Sequence, residues 1–170
     1  GISAYKAADV ISGLRQCGYE VHVITTKTAL NFVTPTVLGA VSDGHCITDD
    51  NVNRIAHIRE AQDCDAFICV PATANTIAKF AHGIADDFVS STFIAIPKGT
   101  PKIICPTMNT IMYESHACAE NLSKLEEWGC HIIEPVYGEL ACGAVGIGKL
   151  PKPRKIVEEV IELLDTKIPW

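Results

Sequence analysis

The sequence predicts an α/β fold in which parallel strands form an open sheet with helices on both faces. Short apolar runs rich in β-branched residues recur along the chain, and amphipathic patterns with helical spacing lie between them. Strands that alternate with helices are joined by right-handed crossovers, which makes the strands parallel and the sheet doubly wound. Ligands bind beyond the carboxyl ends of such strands, so a functional site is expected there.

Four short apolar runs predict the strands, at residues 21–25, 66–70, 102–105 and 131–133. Each run is too short for a helix and therefore indicates a buried strand. Cys69 and Cys105 fall inside two of these runs, where a free thiol behaves as a small buried apolar group.

Helices are predicted where apolar side chains recur on one face of a 3.6-residue period. Ala7, Val10, Ile11 and Leu14 share one such face, and the last amphipathic stretch, at residues 156–165, indicates a closing helix. A third pattern is formed by Leu122, Leu125 and Trp128.

A chain of 170 residues fits one domain, so residues 1–170 are expected to form a single domain. The opening residues Gly1-Ile2-Ser3-Ala4 lead directly into the first predicted helix and resemble a loop that follows a strand. We therefore expect a further strand upstream of Gly1.

Composition excludes several classes of function. The net charge is −6 without a basic cluster, which argues against a nucleic-acid partner. No apolar run approaches the ~20 residues of a membrane-spanning helix. The eight cysteines form no CxxC pair. No pairing pattern in sequence is seen for His22, His45, His82, His116 and His131, so no metal site is expected. A reducing, cytoplasmic environment is expected for a chain with these free thiols.

Three loops that follow predicted strands carry small hydroxyl or amide residues suited to a phosphate. Ser3 lies at the start of the first helix, where backbone N–H groups and the helix dipole attract an anion. An alternative is that Ser3 only caps this helix. Thr25, Thr26 and Thr28 follow the next strand, and the segment Pro71-Ala72-Thr73-Ala74-Asn75-Thr76 follows the third.

Four motifs occur in the order found in one protein family: His57-Ile58, PATANTIAKFAHGIADD from Pro71, PTMNTIMYE from Pro106, and LACG from Leu140. The chain resembles the homo-oligomeric flavin-containing cysteine decarboxylases over residues 1 to about 150. The resemblance implies FMN as cofactor, a Rossmann-like (flavodoxin-like) fold and a homotrimer, which can assemble into a dodecamer, with active sites at subunit interfaces. Thr107, where alanine is commoner, and the segment Leu150-Pro151-Lys152-Pro153 depart from the family pattern.

The resemblance also assigns roles to individual residues. His57 and Cys142 take the catalytic positions, as proton acceptor and proton donor. Asn109, with Met108 and Ala141, takes the substrate-binding position, and the side chains of Met108 and Met112 are expected to pack. Asn109 is alternatively a helix cap, and Cys142 a packing residue. The positions that contact FMN are occupied by Ser3, Thr26, Thr28, Thr73, Ala74, Asn75, Thr76 and Thr107.

The implied reaction is decarboxylation of 4′-phosphopantothenoylcysteine to 4′-phosphopantetheine in coenzyme A biosynthesis, a carboxy-lyase activity. Direct loss of CO₂ would leave an unstabilised carbanion, so the substrate's CH₂–SH is first oxidised to a thioaldehyde that accepts the electrons. The resulting enethiol is then reduced and protonated. Two alternatives are a peptidyl-cysteine decarboxylase of the lantibiotic type, which the cysteine of LACG disfavours, and a non-catalytic phosphatase-regulating relative. The two glycines Gly146 and Gly148 are expected to make the segment after LACG a mobile flap.

Overall fold

A computed structural model of the chain describes residues 1–48 and 55–167 and confirms the α/β fold. The helices are α1 (Ala7–Gln16), α2 (Pro35–Val41), α3 (Ala56–Asp63), α4 (Ala74–His82), α5 (Phe88–Ala95), α6 (Thr110–Tyr113), α7 (His116–Glu127) and α8 (Pro153–Lys167). The strands are β1 (Val23–Thr25), β2 (Cys46–Thr48), β3 (Phe67–Ala72), β4 (Lys102–Pro106), β5 (His131–Ile132), β6 (Val136–Glu139) and β7 (Val145–Lys149). Short 3-10 helices span Ile2–Lys6 and Ala29–Asn31.

Parallel pairing dominates the described strands, as the alternation of strands and helices predicts. β1 pairs with β2, and β3, β4 and β5 pair in that order. β6 and β7 form an antiparallel hairpin, an element that the sequence patterns did not reveal. The carboxyl ends of β3 and β4 therefore meet at one edge, where Ala72 pairs with Pro106.

Helices cover both faces of the three-stranded sheet because alternate strand residues point in opposite directions. Phe67, Cys69 and Ile104 belong to a core cluster that includes buried residues of α4, α5 and α7. Ile103 and Cys105 belong to a second cluster with buried residues of α1 and α8. The apolar faces predicted for the first and last helices thus lie in the core.

Several predicted boundaries change for local reasons. β1 begins at Val23 and not at residue 21, because its pairing with β2 extends over only three residue pairs. β3 continues to Ala72, where it still pairs with the end of β4, and β5 ends at Ile132. β2 was missed because a run of three residues is too short to stand out as a pattern.

The prediction that Trp128 belongs to the buried face of its helix is wrong. α7 ends at Glu127, and Gly129 adopts a φ of +84° that turns the chain toward β5. A positive φ is readily available to glycine, so the helix ends one residue before Trp128, earlier than the apolar spacing indicates. Trp128 is 55% exposed, and the Lys124 ammonium lies 5.1 Å from its ring centroid.

All eight cysteines carry free thiols. Cys69 and Cys105 are buried as predicted, and burial raises the pKa of the Cys69 thiol to about 12. Within residues 1–48 and 55–167, none of the helices combines the length and apolarity needed to cross a bilayer.

Candidate functional site

The carboxyl end of β3 leads directly into the start of α4, which presents polar groups at this edge of the sheet. Thr73 is the N-cap of α4, and its Oγ1 accepts a hydrogen bond from the Thr76 backbone N–H at 3.3 Å. The two threonine hydroxyl oxygens lie 3.2 Å apart. Asn75 is exposed on the first turn of the helix. This edge combines a helix N-terminus with hydroxyl and amide groups, the combination that suits an anion.

The structure brings the Ser3 segment to the same place. A Cβ built on Gly1 would lie 3.7 Å from Cγ2 of Thr73, so the opening residues contact the end of β3. Ser3 itself lies inside the 3-10 helix, whose N-cap is Gly1. The alternative interpretation of Ser3 as a helix cap is therefore wrong, because the chain enters helical geometry two residues earlier. Its assignment to the cofactor stays a prediction.

The threonines that follow β1 differ in what their hydroxyls contact. Thr26 accepts a hydrogen bond from the Ala29 backbone N–H at 3.3 Å, and Thr28 is exposed at the start of the second 3-10 helix. Thr25 is only 5% exposed, and its Oγ1 has no hydrogen-bond partner among the described residues. An unpaired buried hydroxyl is costly, so this strand end retains capacity for a further polar contact.

The segment after β4 is tied to its surroundings by its backbone. The Thr107 N–H donates to the Ala72 carbonyl at 2.9 Å, and its hydroxyl donates to the Pro106 carbonyl at 2.8 Å. Met108 packs against the core cluster, and the Cys118 thiol lies 3.7 Å from its Sδ. The prediction that the Met108 side chain packs is confirmed, but the same prediction for Met112 is wrong, because that side chain is 50% exposed. The hydroxyl of Thr107, a departure from the family pattern, is satisfied locally.

Asn109 and Cys142 contact each other although they are far apart in sequence. The Asn109 Oδ1 accepts a hydrogen bond from the Ile111 N–H at 2.9 Å and caps α6. Its Nδ2 donates a hydrogen bond to the Cys142 Sγ at 3.4 Å. Asn109 therefore caps α6, as the alternative interpretation predicted. Its amide group nevertheless faces the Cys142 thiol.

Cys142 lies in the turn that connects β6 with β7. The Leu140 N–H donates to the Ala144 carbonyl at 2.8 Å and the Gly143 N–H donates to the Leu140 carbonyl at 2.9 Å, which closes the turn. Ala141 and Cys142 are exposed at its tip, so the alternative of a buried packing cysteine is wrong. Hydrogen bonds from the Ala144 backbone and then from the Asn109 side chain lower the pKa of the Cys142 thiol, because they stabilise the thiolate.

The glycines after this turn allow close approach of the backbone, and the predicted mobility of the segment stays a prediction. Gly148 has a φ of +133°, and a Cβ on it would collide with the Met108 carbonyl oxygen. The Met108 N–H donates to the Gly148 carbonyl at 3.1 Å, and the Thr110 hydroxyl donates to the Ile147 carbonyl at 2.7 Å. A Cβ on Gly146 would collide with the Thr110 hydroxyl. The base of the hairpin is therefore fixed against the segment that carries Asn109.

Thr110 is a residue that the sequence reasoning missed. It follows Asn109 directly in the PTMNT motif, and its hydroxyl positions the hairpin through the bond to β7. A sequence signal for this contact exists in Gly146-Ile147-Gly148. Two glycines separated by one residue in a strand indicate that another part of the chain approaches the strand backbone closely.

His57 lies on α3, and not on the elements that carry Asn109 and Cys142. Its ring is half-buried and packs edge-on against Phe88 at the start of α5, with centroids 6.3 Å apart. Among the described residues, no hydrogen bond or ion pair joins His57 to Asn109 or Cys142. Two apolar neighbours on the same segment, Ile55 and Ile58, are 60% and 41% exposed.

Comparison with known proteins identifies the family of this chain. A family model described as Flavoprotein matches residues 1–165. A probable phosphopantothenoylcysteine decarboxylase of Streptococcus mutans is 39% identical over 167 residues, covering 96% of this chain and 93% of the relative. The coenzyme A biosynthesis bifunctional protein CoaBC of Bacillus subtilis is 43% identical over 162 residues, covering 93% of this chain. The aligned region is 39% of that longer relative.

Two solved structures share the fold closely. One is a cysteine-to-serine mutant of a PPC decarboxylase complexed with pantothenoylaminoethenethiol, with a TM-score of 0.86, 25% identity, and coverage of 96% of this chain and 93% of that chain. The other is the FMN-binding protein AtHal3, with a TM-score of 0.86, 25% identity, and coverage of 99% and 94%.

Proposed function

This chain belongs to the Flavoprotein family, and we propose that it uses FMN to decarboxylate 4′-phosphopantothenoylcysteine, producing 4′-phosphopantetheine for coenzyme A biosynthesis. The proposal concerns this carboxy-lyase reaction alone, because the chain spans less than half of the bifunctional relative. The observation that supports it most strongly is the 3.4 Å contact between Asn109 Nδ2 and Cys142 Sγ.

That contact places a carboxylate-binding group beside a proton donor. Loss of CO₂ from the oxidised substrate leaves an enethiol, and the carbon that carried the carboxylate must then receive a proton. A donor for that carbon has to lie next to the group that held the carboxylate. Asn109 and Cys142 meet this requirement.

Asn109 is suited to holding the substrate carboxylate because its amide donates a hydrogen bond without adding a positive charge. A cation would stabilise the ionised ground state and oppose the loss of CO₂. The bond from the Ile111 N–H holds the Asn109 side chain, while the Nδ2 group is directed at the Cys142 thiol.

Cys142 is suited to donating the proton because its thiol is exposed and its pKa is lowered. The same hydrogen bonds that lower the pKa stabilise the thiolate that remains after the proton has moved. The cysteine-to-serine mutant of the PPC decarboxylase bound to an aminoethenethiol supports this role, since an enethiol is the species that awaits the proton.

FMN, when bound, supplies the two-electron oxidation of the substrate's CH₂–SH and the later return of a hydride. The polar groups at the ends of β1 and β3 fit such a cofactor, because the unpaired Thr25 hydroxyl and the exposed Asn75 amide lie there. The residues that would hold it are Ser3, Thr26, Thr28, Thr73, Ala74, Asn75, Thr76 and Thr107.

His57 acts as the proton acceptor in this proposal, which histidine can do near neutral pH. Because no hydrogen bond or ion pair joins His57 to Asn109 or Cys142 among the described residues, we include in this proposal a homotrimer in which a neighbouring subunit completes the site. The exposed Ile55 and Ile58 side chains beside His57, and Ile111, which is 80% exposed beside Asn109, are suited to such an interface. We place the enzyme in the cytoplasm, where free thiols persist.

Asn75→Ala is expected to weaken FMN binding about tenfold or more, since a hydrogen bond to a charged group contributes about 1.5–3 kcal/mol. The substitution should not reduce stability, because Asn75 is exposed on a helix and alanine favours helices. Quenching of FMN fluorescence during titration of the protein measures the affinity.

The matched control is Asn121→Ala on α7, since the Asn121 side chain contacts His82 at 2.9 Å and lies on an element remote from the loops of β1 and β3. It should bind FMN as the unaltered protein does. Failure of the unaltered protein to bind excess FMN would refute the cofactor assignment. Equal affinity in Asn75→Ala would remove only Asn75 from the site.

A further inference from the structure

A cluster of two histidines and two glutamates lies at the amino ends of β1 and β2. Glu20 and His22 immediately precede β1, and His45 immediately precedes β2. Glu60 reaches the cluster from α3. The strands run parallel, so this cluster is at the sheet edge opposite to Thr25 and Thr26.

The β1–β2 register brings the two imidazoles together. Val23 pairs with Cys46, and the Val23 N–H also donates to the His45 carbonyl at 2.8 Å, which makes His22 and His45 the next neighbours along the ladder. Adjacent strands lie about 4.8 Å apart. The rings accordingly stack with centroids 4.5 Å apart and planes inclined by 7°.

Both nitrogens of His22 face carboxylate oxygens. The Nδ1 lies 2.8 Å from Glu60 Oε2, and the Nε2 lies 3.0 Å from Glu20 Oε1. A neutral imidazole has one N–H and can donate to only one of these carboxylates, whereas the imidazolium donates to both. If Nδ1–H donates to Glu60, then the Nε2 lone pair and the Glu20 carboxylate converge on a position that a metal ion can fill.

We propose that Glu20, His22 and His45 bind a divalent transition-metal ion, of which Zn²⁺ is the best suited, with Glu60 orienting His22. The three ligand atoms lie within 4.8 Å of one another. Tetrahedral Zn²⁺ with bonds of about 2.0–2.1 Å needs its ligands about 3.3 Å apart. The 3.0 Å distance between Glu20 Oε1 and His22 Nε2 already fits, and exposed His45, whose Nε2 is 4.0 Å from Glu20 Oε1, needs only a side-chain rotation.

The ligand chemistry favours zinc over calcium or magnesium. Two imidazoles and one carboxylate are typical zinc ligands, whereas the hard cations prefer oxygen. A carboxylate that accepts a hydrogen bond from the distal nitrogen of a ligating histidine is a recurrent feature of such sites, and Glu60 has this position. A cleft of about 340 Å³ borders Glu20 and His45, so water has access to the fourth coordination position.

The test is calorimetric titration of the FMN-loaded Cys17→Ser, Cys142→Ser double variant with Zn²⁺, because Cys17 and Cys142 are exposed thiols that bind zinc by themselves. We expect one saturable site per chain, which His45→Gln and Glu20→Ala abolish. Glu60→Gln should weaken binding about 10–100-fold. The control is His131→Gln, since His131 pairs with Glu159 at 2.8 Å and belongs to no group of three metal-ligating side chains among the described residues, and it should leave zinc binding unchanged.

Zinc X-ray absorption and thermal unfolding complete the test. We expect only nitrogen and oxygen ligands at about 2.0–2.1 Å, and an increase in Tm with zinc that His45→Gln removes. The variants without zinc should unfold at the temperature of the parent protein, because the substituted ligands are exposed. Sulfur ligands at about 2.3 Å, undiminished zinc affinity in His45→Gln, or no saturable binding would each overturn the proposal.

Discussion

Cys142→Ser is expected to change the product of the reaction and not only its rate. The variant should still oxidise and decarboxylate 4′-phosphopantothenoylcysteine, because Asn109 and the cofactor loops are untouched. A serine hydroxyl is a far weaker acid than a thiol whose pKa the Ala144 and Asn109 hydrogen bonds lower. The enethiol should therefore accumulate, and the flavin should remain reduced after the first turnover.

Product masses and the flavin absorbance of a single turnover measure these two effects. Cys17→Ser is the matched control, because Cys17 is also exposed but lies at the end of α1. It should give 4′-phosphopantetheine at the rate of the unaltered protein. Undiminished release of 4′-phosphopantetheine by Cys142→Ser would show that Cys142 is not the proton donor.

Asn109→Asp is expected to abolish decarboxylation and to leave the fold intact. The aspartate oxygen can still accept the hydrogen bond from the Ile111 N–H, so α6 keeps its cap. The new carboxylate, however, replaces the Nδ2 donor and faces both the substrate carboxylate and the Cys142 sulfur. Like-charge contacts cost several kcal/mol, so we expect kcat/KM to fall by at least about 10²-fold.

His57→Asn is expected to be as inactive as Asn109→Asp, because it removes the proton acceptor. The fold should persist, because asparagine retains a polar side chain of similar size. The control for both substitutions is Asn121→Asp, which introduces the same charge on α7, outside the proposed site. Circular dichroism and size-exclusion chromatography should show unchanged structure and oligomer for all three proteins. Turnover close to that of the unaltered protein in Asn109→Asp or His57→Asn would remove that residue from the mechanism.

The parallel sheet and its two covered faces could be predicted, because they follow from the local spacing of apolar residues along the chain. Alternation in β3 and β4 determines which side chains point to α1 and α8 and which to α4, α5 and α7. Elements that depend on distant contacts were harder to predict. The three-residue strand β2 is defined only by its pairing with β1, and the end of α7 is decided by the conformation of Gly129.

In the candidate site, too, local motifs identify single residues, whereas contacts between distant parts of the chain could not be predicted. Motifs identified Asn109 and Cys142 separately, but their contact depends on the β6–β7 hairpin and on its attachment to Met108 and Thr110. The close packing of Gly146 and Gly148 was not predicted, because sequence alone does not distinguish a glycine that permits motion from one that permits close packing. The stacked pair of His22 and His45 likewise arises from the strand register.

The most direct test of the central claim is incubation of the FMN-loaded protein with 4′-phosphopantothenoylcysteine, followed by mass spectrometry of substrate and product. We expect FMN-dependent conversion to a compound lighter by the mass of CO₂ alone, identical to 4′-phosphopantetheine. Such a product requires decarboxylation, hydride return and protonation in one site. Release of a compound lighter by CO₂ and two further hydrogens, or no conversion by the flavin-loaded protein, would contradict the proposed function.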